Sequence, residues 1–130
     1  MGATSGPVLV DFGARLRGSM SAKARIAALG HNHITMTALS YADPAAYAAY
    51  VAGNTPYRRQ RRAYCVSLIS DTRGTVTGHP GLERIRALPT FADAIAFASV
   101  GELVTPTSDL ASTPGIVYLV GDREEDLRRD

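Results

Sequence analysis

Short apolar runs alternate with helix-like repeats along the 130 residues of the chain. Continuous apolar runs, as at residues 8–10 and 115–120, are typical of buried strands. The run from residue 91 to 100 suits a helix or a strand, and we favour a strand. A polar turn at residues 71–74 predicts that the runs on either side of it form a hairpin. Strands are therefore expected at residues 8–12, 31–41, 63–70, 75–78, 91–100 and 115–120.

Helix end signals separate these runs. Ser19 or Ser21 is expected to cap a first helix that ends at Gly30. A second helix is expected between Asp43 and Gly53, with a proline at its first position. Shorter helices are predicted at residues 82–88 and in the charged tail, residues 122–130. The sum is an α+β fold with a mainly antiparallel sheet flanked by short helices, in a single domain over residues 1–130.

Composition narrows the class of protein. A hydrophobic content of 45% with 20% charged residues is typical of a folded globular domain. The chain lacks an apolar run of the roughly 20 residues that span a membrane, and its first residues do not resemble a secretion signal. We therefore expect a cytoplasmic protein without a membrane partner. Cys65, the single cysteine, lies in an apolar run and is expected to be a buried structural thiol.

A cluster of basic residues could bind nucleic acid. Four arginines lie within residues 58–62, between two tyrosines that could stack on bases. The net charge of the whole chain is only +2, and the cluster is short. An exposed loop leading into a strand is the preferred interpretation, so nucleic acid is not an expected partner. A gel shift at low salt tests this alternative.

An acid, a glycine and an arginine follow the first apolar run, as Asp11, Gly13 and Arg15, with Arg17 and Ser19 next along the chain. We refer to residues 11–19 as the N-terminal motif. Arginine suits planar recognition of carboxylate and phosphate. Arg15, Arg17 and Ser19 are therefore candidate ligands of a small anionic metabolite.

The N-terminal motif resembles the strand-end motif of ATP-grasp carboxylate–amine ligases. Later pieces of the chain, at residues 82–91 and 113–119, are similar in their order to the C-terminal domain of biotin-carboxylase-like enzymes. The resemblance covers residues 8–130. It implies chemistry on a carboxylate, which receives a phosphate from ATP and is then attacked by an amine. It also implies a Mg²⁺ ligand at Asp11 and a catalytic role in charge neutralisation for Arg15.

The chain departs from the family pattern, which has glutamate, asparagine and arginine where this sequence has Asp11, Gly13 and Arg15. The lysines and the grip that hold ATP in such ligases have no counterpart here, so ATP-dependent ligation by this chain alone is not expected. We predict a stand-alone domain derived from the C-terminal part of a ligase. It is expected to bind a small carboxylated or phosphorylated metabolite or to complement a separate ligase. A homodimer or a complex with another protein is expected, because a surface that met the ATP-binding half must be covered.

His31 and His33 support an alternative from another class. On a strand they would point to the same side, where they could take part in acid–base catalysis or, less simply, bind a metal. A metal usually needs three protein ligands, and a nearby carboxylate is missing from the sequence around them. The alternative is a small lyase, isomerase or cyclase with catalytic His31 and His33, in which Arg15 holds the substrate.

Overall fold

The computed structural model describes residues 13, 15–16, 21–56, 58–95 and 98–130. In the described part, the helices are α1 (Ala22–Leu29), α2 (His33–Ala42), α3 (Pro44–Gly53), α4 (Leu82–Arg86) and α5 (Glu124–Arg129). The strands are β1 (Arg62–Ser67), β2 (Gly74–Thr75), β3 (Phe91–Ile95), β4 (Leu103–Val104) and β5 (Ile116–Gly121). The strand predicted at residues 8–12 lies outside the described residues. Both sheets are antiparallel, with strand orders β1-β5-β3 and β2-β4, which confirms the predicted α+β class.

Strand β5 lies at the centre of the larger sheet, and all of its residues are buried. Its side chains alternate between two layers. Ile116, Tyr118 and Val120 pack with Ala24 and Ala28 of α1. The opposite side chains, at positions 117 and 119, pack with the apolar side chain of α5 at position 127. Coverage on both faces explains why this strand is a continuous apolar run rather than an alternating one.

Local signals set the helix ends as predicted. The Oγ of Ser21 accepts a hydrogen bond from the backbone N–H of Ala24, so Ser21 rather than Ser19 caps α1. Gly30 ends that helix with a positive φ of 77°, a conformation that glycine adopts at little cost. Asp43 caps α3 through the N–H of Ala46.

Two predicted elements are wrong. Residues 31–41 are mostly helix α2 rather than a strand, because Asn32 and Thr35 form a capping box that starts a helix. The predicted hairpin is also absent from the described residues: β1 pairs with β5, and β2 pairs with β4. A turn signal at residues 71–74 could not reveal that the strand after it belongs to a second sheet.

Helices α2 and α3 form a hairpin of their own. They contact each other, and neither contains a buried residue. Among the helices of the described residues, none is long and apolar enough to cross a lipid bilayer.

Candidate functional site

Two residues beyond the N-terminal motif, Ser21 is fixed to the sheet. This side chain is only 3% exposed, and its hydroxyl donates a hydrogen bond of 2.5 Å to Oδ2 of Asp93 in β3. The Nζ atom of Lys23 lies 3.9 Å from the other carboxylate oxygen of Asp93. The start of α1 is therefore held by a carboxylate from the other half of the chain.

Tyr118 of β5 also contacts the start of α1, where it interacts with Ser21. It is buried, and its pKa is raised mainly by that burial and further by the neighbouring Cys65 thiol. A backbone hydrogen bond from Ser21 acts in the opposite direction on this pKa. The phenol therefore stays protonated at neutral pH, and its ring packs with Ala24 and Ala28 of α1.

Asp93 and Tyr118 were not among the residues singled out in the sequence, although each left a signal there. Asp93 is an isolated acid within the apolar strand Phe91–Ile95, and Tyr118 is the one residue with a polar group in the apolar run of β5. A polar group inside a buried strand needs a partner. In this fold Asp93 accepts a hydrogen bond from Ser21 at the start of α1, and Tyr118 interacts with Ser21 and with Cys65 of β1.

The structure describes part of the N-terminal motif. Arg15 and Gly13 are exposed to solvent. Asp11, Arg17 and Ser19 lie outside the described residues, so their arrangement around Arg15 stays a prediction. Among the described residues, no atom lies within 4 Å of a Cβ built on Gly13.

The two candidate histidines do not share a strand. Nδ1 of His31 lies 3.0 Å from the carbonyl oxygen of Leu29 and also contacts the hydroxyl of Tyr50 in α3. The His31 and Tyr50 rings meet edge to face at 5.1 Å. His33 starts α2, and its buried Nδ1 has no hydrogen-bond partner among the described residues.

His31 thus connects the end of α1 to α3, and these contacts support a role for it in holding the helices together. The acid–base hypothesis for His31 and His33 loses its premise of a shared strand face and stays a prediction. Within the described residues, no group of three histidine, cysteine, aspartate or glutamate side chains is arranged to hold a metal ion.

The arginine cluster is partly neutralised by acidic partners. Nε of Arg61 lies 2.8 Å from Oδ1 of Asp122, and Nη1 of Arg62 lies 3.3 Å from Oε2 of Glu124. The pKa of Glu124 is lowered, first by its hydrogen bond from Arg128 and then by that from Tyr64. These contacts connect the start of β1 to α5, which supports a structural role for this end of the cluster.

Cys65 is exposed, so the prediction of a buried thiol was wrong. The reason is that β1 lies at an edge of the sheet, where α1 covers it only in part. An apolar run in the sequence does not distinguish a central strand from an edge strand.

Part of the chain matches a known protein family. Residues 66–130 match the family model for the L-amino acid ligase C-terminal domain 2. Dapdiamide A synthase of Enterobacter agglomerans is 28% identical over 129 residues. The match covers 99% of this chain and 30% of that protein, so the chain spans less than a third of its relative's length. No solved structure matches the chain.

Proposed function

The chain belongs to the L-amino acid ligase family, and we propose that it supplies the part of an ATP-grasp ligase that holds the anionic end of a substrate. The ligand is a small carboxylated or phosphorylated metabolite. Arg15 contacts its negative group, with Arg17 and Ser19 beside it. The groups that hold ATP are assigned to a nucleotide-binding region that works together with this domain.

The contact between Ser21 and Asp93 is the observation that carries the proposal. Phosphoryl transfer depends chiefly on positioning and on neutralising charge. Residues that hold the substrate must therefore be followed by a fixed point in the chain. Burial of Ser21 between Asp93 and Tyr118 supports such a point, while the exposure of Arg15 leaves its guanidinium accessible to a ligand.

The fit to Mg²⁺ is partial. Asp11 is the only side chain of the family's metal pattern that retains an oxygen donor, because Gly13 contributes backbone atoms alone. Bound at Asp11, Mg²⁺ would neutralise charge on the phosphoryl oxygens. The remaining ligands of such an ion would come from phosphate and water.

Association is the second part of the proposal. In the hairpin of α2 and α3, Asp43 at the turn is the only acidic residue, and lysine and arginine are absent from residues 33–53. Ile34, Tyr41 and Val51 on these helices are exposed. We propose that a second copy of the chain covers this hairpin, because two uncharged surfaces meet without repulsion.

A thermal-shift experiment tests ligand binding. Acetyl phosphate with Mg²⁺ serves as the probe, since it carries the acyl and phosphate groups of the proposed chemistry. Acetyl phosphate should raise the melting temperature of the wild type and of Arg73→Gln, which removes an exposed arginine elsewhere, but not that of Arg15→Gln. An equal rise in all three proteins would contradict the role of Arg15.

A further inference from the structure

The hairpin of α2 and α3 is attached to the rest of the protein at few points. Neither helix contains a buried residue. Among the described residues, the two helices contact each other broadly, and neither has a comparable contact with another helix or strand. A unit that buries so little surface has a low local stability, so its orientation depends on the few contacts that hold its ends.

His31 provides such a contact at the base of the hairpin. It lies between Gly30, which ends α1, and Asn32, which caps α2. Its Nδ1 atom is 3.0 Å from the carbonyl oxygen of Leu29 and also contacts the hydroxyl of Tyr50 in the second helix of the hairpin. One imidazole ring therefore touches the end of α1 and the helix α3 at the same time.

The contact between His31 and Tyr50 is possible in both tautomers of the histidine. An Nδ1 that carries a hydrogen can share it between the carbonyl oxygen of Leu29 and the oxygen of Tyr50. An Nδ1 without a hydrogen accepts a hydrogen bond from the hydroxyl of Tyr50. Both side chains are half-buried and their rings meet edge to face, so ring packing adds to the hydrogen bond.

We propose that the His31–Tyr50 contact is a latch that sets the orientation of the α2–α3 hairpin relative to the sheet. When the latch is open, the hairpin turns as one unit about Gly30. This glycine suits a pivot, because its φ of 77° is open to glycine at little cost and no described atom lies within 4 Å of a Cβ built on it.

The latch has a consequence for the proposed self-association. The hairpin carries the exposed apolar side chains of Ile34, Tyr41 and Val51. A symmetric contact requires the same surface in the same orientation on both copies. His31 and Tyr50 are therefore positioning residues for this surface, and only this consequence rests on the proposed association.

Residual dipolar couplings of backbone amides test the latch, because they report how one unit is oriented relative to another. The parent protein for this measurement is Tyr41→Glu, at a concentration where light scattering gives a monomer mass, so that no second copy holds the hairpin. One alignment tensor should fit β1, β5 and both hairpin helices. Adding Tyr50→Phe keeps the ring and removes the hydroxyl, and the hairpin should then no longer fit the tensor of the sheet.

Two further variants separate the latch from general loosening of the hairpin. Tyr47→Phe removes a hydroxyl one turn earlier on α3 and should keep the single tensor. His31→Phe keeps an aromatic ring without Nδ1 and should behave as Tyr50→Phe. The two latch substitutions together should have no larger effect than either alone, since both remove the same interaction.

Two results would overturn the latch: a single tensor that persists in Tyr50→Phe, or separate tensors for hairpin and sheet already in the parent protein. In the otherwise wild-type chain, Tyr50→Phe should weaken the dimer by about fivefold, the loss expected for one hydrogen bond. An unchanged dimer affinity would contradict the consequence for association. A wild type that is monomeric would refute the proposed association, whereas the dipolar couplings would still decide on the latch.

Discussion

The hydroxyl of Ser21 and the carboxylate of Asp93 are joined by a hydrogen bond of 2.5 Å, although 72 residues separate them in the sequence. Ser21 lies before residues 66–130, which match the ligase domain, and Asp93 lies within them. The bond therefore fixes the start of α1 to the part of the chain that the family model recognises. Disturbing it should affect both folding and ligand binding.

Asp93→Ala tests this connection. It leaves the buried hydroxyl of Ser21 without its acceptor, so we expect unfolding to become easier by about 1–3 kcal/mol. Urea unfolding measures this difference, and acetyl phosphate binding should weaken in parallel. The control Glu83→Ala, which removes one partner of an exposed pair with Arg86, should change stability by less than about 0.5 kcal/mol. Similar small losses in both variants would show that the Ser21–Asp93 contact does not fix the start of α1.

Glu124 should make the free energy of unfolding depend on pH. Its pKa is lowered from an ordinary value of 4.5, first by the hydrogen bond from Arg128 and then by contacts with Tyr64 and Arg62. A folded-state pKa below the unfolded value means that the stabilisation is present above the unfolded pKa and is lost as pH falls through the folded one. The stability difference between the wild type and Glu124→Gln should therefore be larger near neutral pH than below about pH 4. A difference that does not change with pH would contradict this assignment.

Gly13→Asn restores the amide that the ligase pattern has at this position. The described residues leave space for the side chain, so folding should be unaffected. An added amide oxygen should strengthen the Mg²⁺ dependence of acetyl phosphate binding, because Mg²⁺ prefers oxygen ligands. Titration of Mg²⁺ at a fixed acetyl phosphate concentration measures the effect, with Gly13→Ala as the control. Identical Mg²⁺ dependence in the two variants would argue against a metal at Asp11.

Tyr41→Glu tests self-association through the hairpin of α2 and α3. The side chain of Tyr41 is 85% exposed, so its replacement should leave stability almost unchanged. Two glutamates brought together across a symmetric contact would repel each other. Light scattering at micromolar concentration should give a dimer mass for the wild type and a monomer mass for the variant. A monomeric wild type would exclude the second copy as the occupant.

Sequence predicted the features of this fold that are set locally. The caps at Ser21 and Asp43 depend on residues within one helical turn, and both were found. The strand predicted at residues 31–41 was wrong. The β-branched side chains there favour a strand, but the capping box of Asn32 and Thr35 starts a helix instead. A local sequence pattern indicates whether strand or helix is favoured on average, but it does not reveal whether a particular capping hydrogen bond forms.

Long-range pairing explains the remaining differences. The partner of β2 is β4, about thirty residues away, and a turn signal contains no information on such a pairing. The same limit applies to the site. Arg15 could be proposed from its neighbours in the motif, but Asp93 and Tyr118 meet Ser21 only after the chain has folded.

Amide chemical-shift mapping by NMR, with acetyl phosphate and Mg²⁺ titrated into the labelled chain, locates the ligand site itself. We expect the largest shifts in residues 11–22, around Arg15 and the start of α1. Arg15→Gln should remove them. Shifts confined to residues 31–33 or 58–62, with residues 11–22 unaffected, would contradict the proposal that Arg15 receives the anionic group.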